Sequence, residues 1–190
     1  YGEAPEIVKA YAGPMPFGLQ GALQAGRPLA ADRIAGSAKH FLADGGTTDG
    51  VDQGDAVISE AELIGVHAQG YVPAIDEGVL TVMASFSSWN GVKITGNRSL
   101  LTDVLKDRMG FDGFVVGDWN AHGQIPGCSN ESCPQAINAG LDMFMAPDSW
   151  RGLYDNTLAQ ARAGEIPADR LEDAVRRILR VKAKLGVFDR

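Results

Sequence analysis

The chain contains several short apolar runs, separated by longer segments in which apolar residues recur at helical spacing. Each run is short and bounded by glycine or polar residues, which is typical of strands buried in a parallel sheet. Such runs occupy residues 79–84, 114–116 and 141–146. Segment 34–40 is also short and consists mainly of small residues, so we predict a strand there too and four strands in all.

The intervening segments predict helices. Ser59 begins one of them, with Glu62 three residues later as the second half of a capping box. The other helices are predicted over residues 100–109, 135–139 and 150–163, with a last one that begins at Pro167 and stops at Gly186. Three arginines of the last helix are expected on its solvated face: Arg176, Arg177 and Arg180.

Two further helices are predicted near the amino terminus, over residues 3–11 and 19–25. Between them lies GPMPFG, whose prolines and glycines predict a loop.

Strands and helices thus alternate four times, which favours parallel strands with right-handed crossovers. We expect an α/β fold with about four βα units, part of a (β/α)₈ barrel, because a whole barrel takes about 250 residues. An open four-stranded sheet with helices on both sides remains the competing architecture, and periodicity does not separate the two.

Candidate chemistry lies where strands end. Asp118 directly follows the apolar run in GFVVGDWN, the position at which barrels and open α/β sheets place active-site residues. Lys39 and His40 close the first strand and are expected at the same edge, where a buried lysine beside a histidine needs polar partners. A simple loop-capping role for Asp118 stays open.

The connections after the first two strands also point to function. FLADGGTTDGVDQGD is longer than an ordinary βα loop. The second strand is followed by SFSSWNG, in which Phe86 and Trp89 either form an aromatic surface or pack against the next helix.

Composition narrows the possible partners. The chain has 190 residues, a net charge of −7 and scattered basic residues, so nucleic acid is not expected as a partner. No apolar run reaches the 18 or so residues of a membrane helix. The chain begins at Tyr1 and not at Met, so a missing signal segment gives no information on destination.

Cys128 and Cys133 lie close together in the loop PGCSNESCP. They are either a disulfide, which favours an oxidising compartment, or a pair of reduced thiols. Histidines at metal-ligand spacing are not nearby, so neither a metal nor a cofactor is expected.

Four motifs together resemble the catalytic barrel of glycoside hydrolase family 3, and most of all its exo-β-glucanases and β-glucosidases. They are KHFLADGGT at 39–47, MASFSSWNG at 83–91, GFVVGDWNA at 113–121 and NAGLDMFMAP at 138–147. The similarity runs from about residue 30 to the end. It implies that residues 1–190 are the second half of a catalytic barrel, without the remaining barrel units or a second domain.

The resemblance also implies roles for single residues. Asp118 corresponds to the nucleophile of a retaining glycosidase, Lys39 and His40 to residues that bind glucose hydroxyls, and Trp119 to an aromatic residue beside the next sugar. A lysine ammonium near Asp118 would favour its ionised form.

Two more residues complete the expected site. Met145 is expected either to line the pocket or to pack in the core, and Phe86 replaces a tyrosine that some members carry beside the nucleophile.

The expected activity follows from these roles. We expect hydrolysis of β-glucosidic bonds from the non-reducing end of β-glucans or cello-oligosaccharides, in a periplasmic or secreted protein.

The histidine that serves as acid/base in the N-acetylglucosaminidase branch is replaced here by Asp44. In the glucanase branch the acid/base comes from the second domain, so the chain alone is expected to be nearly inactive. Two rival interpretations are a non-catalytic sugar-binding half barrel and, ranked last, a barrel enzyme that uses Asp118 as a base or metal ligand.

Overall fold

The computed structural model describes residues 1–188. These residues form seven strands: β1 Ser37–Phe41, β2 Asp55–Ala56, β3 Thr81–Ala84, β4 Ser88–Trp89, β5 Val92–Lys93, β6 Phe114–Trp119 and β7 Met143–Met145. Four of them build the central sheet, in the order β1-β3-β6-β7, and all neighbours are parallel. The order of these four strands in the sheet is also their order in the chain, without the reversal that marks a doubly wound sheet. The predicted four βα units of a partial barrel are confirmed.

Helices connect and cover these strands. The α-helices are α1 Pro5–Ala12, α2 Pro14–Gln20, α3 Glu60–Glu62, α4 Tyr71–Asp76, α5 Pro134–Ala139, α6 Trp150–Ala163 and α7 Ala168–Lys184. Two π-helical segments, Leu63–His67 and Ser99–Arg108, complete the set together with short 3₁₀ turns. The predicted cap at Ser59 forms, because its Oγ accepts the backbone N–H of Glu62 at 3.2 Å.

The two faces of the central sheet differ. Val82 and Val115 are buried and belong to one apolar core with Leu101 of the second π-helical segment. Val116 and Asp118 alternate with these buried positions along β6 and are only partly covered. Asp118 therefore lies on the face that points inward when a barrel of this kind closes.

A buried ionic cluster closes the opposite end of the sheet. The Asp142 side chain, just before β7, is 0% exposed; it accepts the Val115 N–H at 2.8 Å and lies 2.7 Å from the Lys106 ammonium. Arg170 of α7 also pairs with Asp142, and Asp173 lies 3.3 Å from Lys106. Burial lowers the pKa of Lys106, and the Asp142 charge opposes that shift. These contacts join β6, β7 and α7 at the amino ends of the strands.

The same cluster corrects the expectation for Arg177. Its guanidinium donates to the carbonyls of Phe111 and Gly113 at 2.6 and 3.0 Å and to Asp173 at 2.9 Å, so the side chain is largely buried. Arg176 is exposed as expected. Helix α7 crosses the amino end of β6, so the polar face of the helix contacts backbone carbonyl groups there and not water.

The first predicted helix, over residues 3–11, is confirmed as α1, whereas the next two amino-terminal predictions were wrong. The segment expected to be a loop forms α2, and the helix expected over residues 19–25 ends at Gln20, where Gly21 has a φ of 68°. Prolines in a first helical turn remove only N–H groups that have no partner in the helix, which explains why Pro14 and Pro16 are compatible with α2.

Gln20, which the sequence pattern did not single out, joins this region to the sheet. Its buried Oε1 accepts the N–H groups of Gly36 and Leu80 at 2.9 and 3.1 Å. One side chain thereby satisfies backbone donors just before both β1 and β3.

The long connections after β1 and β3 are joined to each other. Strand β2 pairs parallel with β4, and β4 pairs antiparallel with β5, which gives a separate three-stranded sheet. The Asp55 carboxylate accepts the Gly91 N–H at 3.0 Å, and the Trp89 indole donates to the Ile58 carbonyl at 3.0 Å. The loops at the carboxyl ends of these strands are thus held in place by backbone pairing.

Candidate active site

Asp118 lies near the carboxyl end of β6, on the open face of the sheet. Its Oδ1 accepts the backbone N–H of Trp119 at 2.7 Å. Its Oδ2 lies 3.7 Å from Nε2 of His40. One carboxylate oxygen is therefore held by the backbone, while the other faces the end of the neighbouring strands.

His40 lies between two carboxylates. Its Nδ1 is 3.2 Å from Oδ2 of Asp44, and its Nε2 points toward Asp118. The residue belongs to β1, in a stretch with cis peptide bonds between Lys39 and His40 and between Phe41 and Leu42. Asp44 belongs to the connection after β1 and Asp118 to β6, so only the folded chain brings the three side chains together.

Asp44 is held from its other side by the connection after β3. Its Oδ1 accepts the hydroxyl of Ser85 at 3.1 Å, and Ser85 Oγ lies 2.6 Å from Oγ of Ser87. Both serines are buried. Burial and, second, the Asp44 charge raise the pKa of Tyr71 above the usual tyrosine range.

Lys39 departs from the expectation of a buried lysine. The side chain is exposed, and no ion pair joins it to Asp118 among the described residues. Lys39 is exposed whereas His40 is partly covered, so His40, and not Lys39, is the side chain that lies beside Asp118.

The aromatic and sulfur-containing residues lie around the same edge. Trp119 is 57% exposed, which leaves its ring free to stack on a ligand. Met145 pairs in register with Trp119 and is half-buried. Phe86 is half-buried, and the Lys93 ammonium lies 5.7 Å from its ring centroid.

Cys128 and Cys133 are joined in a disulfide, with their Cα atoms 4.8 Å apart. Residues 1–188 contain no group of three histidine, cysteine or acidic side chains placed to hold a metal ion. Within the same residues, no helix combines the length and the apolar character that a membrane crossing requires.

Sequence reasoning assigned no role to Asp44 or Ser85. A signal for both was present, because Ser85 directly follows β3 and Asp44 comes three residues after β1. The rule that selected Asp118, a polar residue just past the carboxyl end of a parallel strand, applies to them equally.

Comparison with known proteins places these features in a family. The sequence model described as "Glycosyl hydrolase family 3 N terminal domain" matches residues 1–181. The match begins well before residue 30, where the quoted motifs had suggested that the similarity starts.

Individual relatives agree with the family model. The chain is 32% identical over 158 residues to a β-glucosidase of Rhizobium radiobacter, which covers 83% of this chain and 18% of that protein. It is 30% identical over 173 residues to a periplasmic β-glucosidase of Salmonella typhimurium, covering 88% of this chain and 22% of that protein.

A solved structure extends the comparison. The crystal structure of an exo-1,3/1,4-β-glucanase from a Pseudoalteromonas species is 53% identical, with a TM-score of 0.94 over 99% of this chain and 23% of that one. The chain thus spans about a fifth of the length of these relatives.

Proposed function

Because this chain belongs to glycoside hydrolase family 3, we propose that it supplies the nucleophile half of a retaining β-glucosidase or exo-β-glucanase site. The substrates proposed are β-glucans and cello-oligosaccharides, cleaved at the non-reducing end. The observation that carries the proposal is the placement of Asp118, with one oxygen held by the Trp119 N–H and the other free at the carboxyl end of β6.

In this proposal Oδ2 of Asp118 attacks the anomeric carbon of the terminal glucose. The bond from that carbon to the leaving oxygen breaks, the leaving oxygen takes a proton from an acid, and a glycosyl ester forms on Asp118. Water then attacks the same carbon and releases glucose, with the acid now acting as a base. The hydrogen bond from Trp119 leaves Oδ2 as the attacking atom, since Oδ1 is already occupied.

The acid/base is proposed to come from a part of the enzyme outside this chain. A retaining pair of carboxyl groups stands about 5–5.5 Å apart across the sugar. Asp44 does not suit this role, because the His40 ring lies between it and Asp118. The chain alone is therefore expected to turn over ordinary glucosides very slowly.

The other residues around Asp118 are proposed to bind sugar. His40 faces the space next to Oδ2, where it can reach a hydroxyl of the reacting glucose. Lys39 is exposed at the same strand end and free to reach another. Trp119 offers a flat ring to the next sugar, while Met145 and Phe86 border the site.

The proposed partners are a β-glucoside and the further βα units and second domain that complete the enzyme. Within residues 1–188, β1 and β7 are the edges of the central sheet, and each has an unpaired side to which a further strand could be added. A periplasmic or secreted location is also proposed. The periplasmic relative and the Cys128–Cys133 disulfide support it.

The test is covalent labelling with a 2-deoxy-2-fluoroglucoside that carries an activated leaving group. Such a reagent depends little on acid assistance, so it can report the nucleophile without the missing acid. The chain, alone and within a longer protein that contains it, is incubated with the reagent, digested and mapped by mass spectrometry. We expect one glycosyl group on the peptide that contains Asp118.

Two controls sharpen the result. Asp118→Asn should abolish the label. Asp112→Asn, which changes an exposed carboxylate just before β6, should leave the label unchanged. A label on another residue would overturn the assignment of Asp118. Glucose binding without labelling of the longer protein would favour the sugar-binding half barrel, for which the exposed Trp119 is the supporting observation.

A further inference from the structure

We propose that Asp44 is a positioning residue for the catalytic site: it accepts the Nδ1 proton of His40 and so directs Nε2 of the ring toward Asp118 and its substrate. The inference rests on the proposed role of Asp118. It adds a residue that contacts neither the nucleophile nor the sugar and acts only through His40.

The first step is the geometry of the ring. Nδ1 lies 3.2 Å from Oδ2 of Asp44, within ion-pair distance, and Nε2 lies 3.7 Å from Oδ2 of Asp118, which is longer than a hydrogen bond. Asp44 is therefore the nearer carboxylate and the one placed to accept a proton from the ring. Nε2 remains available for a third atom, such as a sugar hydroxyl beside the nucleophile.

The second step is the position of the proton. A carboxylate can only accept, so the nitrogen that faces Asp44 must carry a hydrogen. This holds for the neutral ring with its proton on Nδ1 and for the doubly protonated ring. In water the neutral ring has no such constraint, so Asp44 selects which nitrogen of His40 meets the substrate.

The third step is what holds Asp44 itself, since its side chain is 41% exposed. The Ser85 hydroxyl donates to its Oδ1, while Ser85 Oγ accepts the N–H of Ser87 at 3.1 Å and shares a 2.6 Å hydrogen bond with the Ser87 hydroxyl. Because the Asp44 carboxylate can only accept, the single hydroxyl proton of Ser85 goes to Asp44, and the Ser87 hydroxyl is then the donor to Ser85. The connection after β3 thus orients the Asp44 carboxylate toward His40.

The backbone around Asp44 adds a steric restraint. A Cβ at Gly46 would lie 2.6 Å from Nε2 of His67, so the turn Asp44–Gly46 packs directly against that ring. The carboxylate is therefore anchored both by the hydrogen bond from Ser85 and by close packing of its own turn.

The test compares Asp44→Ala with Asp52→Ala, which removes the same charge from an exposed position of the same connection. The readout is ¹⁵N NMR of the histidine rings in the labelled chain, which has only three histidines, with His40 assigned by His40→Gln. In the wild type we expect Nδ1 of His40 to be protonated at neutral pH. In Asp44→Ala the neutral ring should shift toward the Nε2-protonated form, while Asp52→Ala keeps the wild-type spectrum.

A second readout is the rate at which the fluoroglucoside labels Asp118. We expect Asp44→Ala to slow it by up to about 100-fold, as expected for a reacting group displaced by about 1 Å, and Asp52→Ala to leave it unchanged. An unchanged signal of His122, which lies in the connection after β6, shows that a variant is folded.

The outcomes separate the two proposals. If the wild-type spectrum shows His40 protonated only on Nε2, the role of Asp44 is overturned without any variant. The role is also overturned if His40 keeps its Nδ1 proton in Asp44→Ala. If the NMR result is as expected but Asp118 is never labelled, the proposed nucleophile fails while the Asp44–His40 contact stands.

Discussion

The buried cluster around Asp142 offers a sharp test of how this partial barrel is held together. Asp142→Asn keeps the size of the side chain and removes its negative charge. The Lys106 side chain, 3% exposed, and the Arg170 guanidinium then face a neutral amide. Loss of one partner from a buried ion pair costs about 3–5 kcal/mol, because the remaining charge stays out of water.

The position of Asp173 decides where in that range the value falls. Its carboxylate still lies 3.3 Å from the Lys106 ammonium and also pairs with Arg170, so part of the compensation survives. We therefore expect a loss of about 3 kcal/mol in the free energy of unfolding. For a chain of this size that corresponds to a fall in Tm of about 6–12 °C.

The assay is urea unfolding followed by far-UV circular dichroism, with a thermal scan of the same samples. Asp112→Asn is the matched control, because the Asp112 side chain is 90% exposed and its pair with Arg180, at 3.3 Å, should contribute less than about 1 kcal/mol. If Asp142→Asn unfolded within about 1 kcal/mol of the wild type, the reasoning from buried charge would be refuted.

Two further predictions concern the same end of the sheet. Gly113→Ala should destabilise the chain by about 3 kcal/mol in the same urea assay, because the new Cβ would lie 2.1 Å from the Leu80 carbonyl oxygen, a backbone atom that cannot rotate away. Gly65→Ala is the control, because a Cβ there would meet open space. Equal stability of the two variants would contradict this prediction. Burial raises the pKa of Asp173, but the charges of Lys106, Arg177 and Arg170 outweigh it and hold the pKa below its usual range. The ionised form is thus favoured by folding, so stability is present above about pH 4 and is lost as the pH falls through the folded value. Urea unfolding between about pH 5 and pH 3 should show a steeper loss for the wild type than for Asp173→Asn, and parallel curves would count against the assignment.

Much of this architecture follows from local sequence pattern. The apolar runs at 79–84 and 114–116 correctly predicted two of the central strands, and Ser59 correctly predicted the start of a helix. Both predictions succeed because burial and capping depend on residues that are close in sequence. The parallel order followed from the alternation of strands and helices. The rule that functional side chains follow the carboxyl ends of strands placed Asp118 and His40 at one edge.

Other features depended on contacts between distant residues, which local pattern does not contain. Lys39 and His40 are adjacent in sequence, yet only His40 turns toward Asp118, since the backbone of β1 sets the two directions. The sequence pattern predicts Arg177 on the solvated face of an amphipathic helix. The side chain is instead largely buried, because α7 crosses the amino end of β6. Asp142 lies in an apolar run that predicts a strand, but its charge is matched by cations from two other helical segments.

The arrangement of Asp44, His40 and Asp118 likewise depends partly on local sequence and partly on tertiary structure. Sequence alone determined that each residue lies near the carboxyl end of a parallel strand. Tertiary structure decided that His40 lies between the two carboxylates and that Ser85, from another connection, holds Asp44. The physical reason is that hydrogen bonds and ion pairs depend on distances of a few ångströms, which are set only when strands far apart in the chain pack side by side.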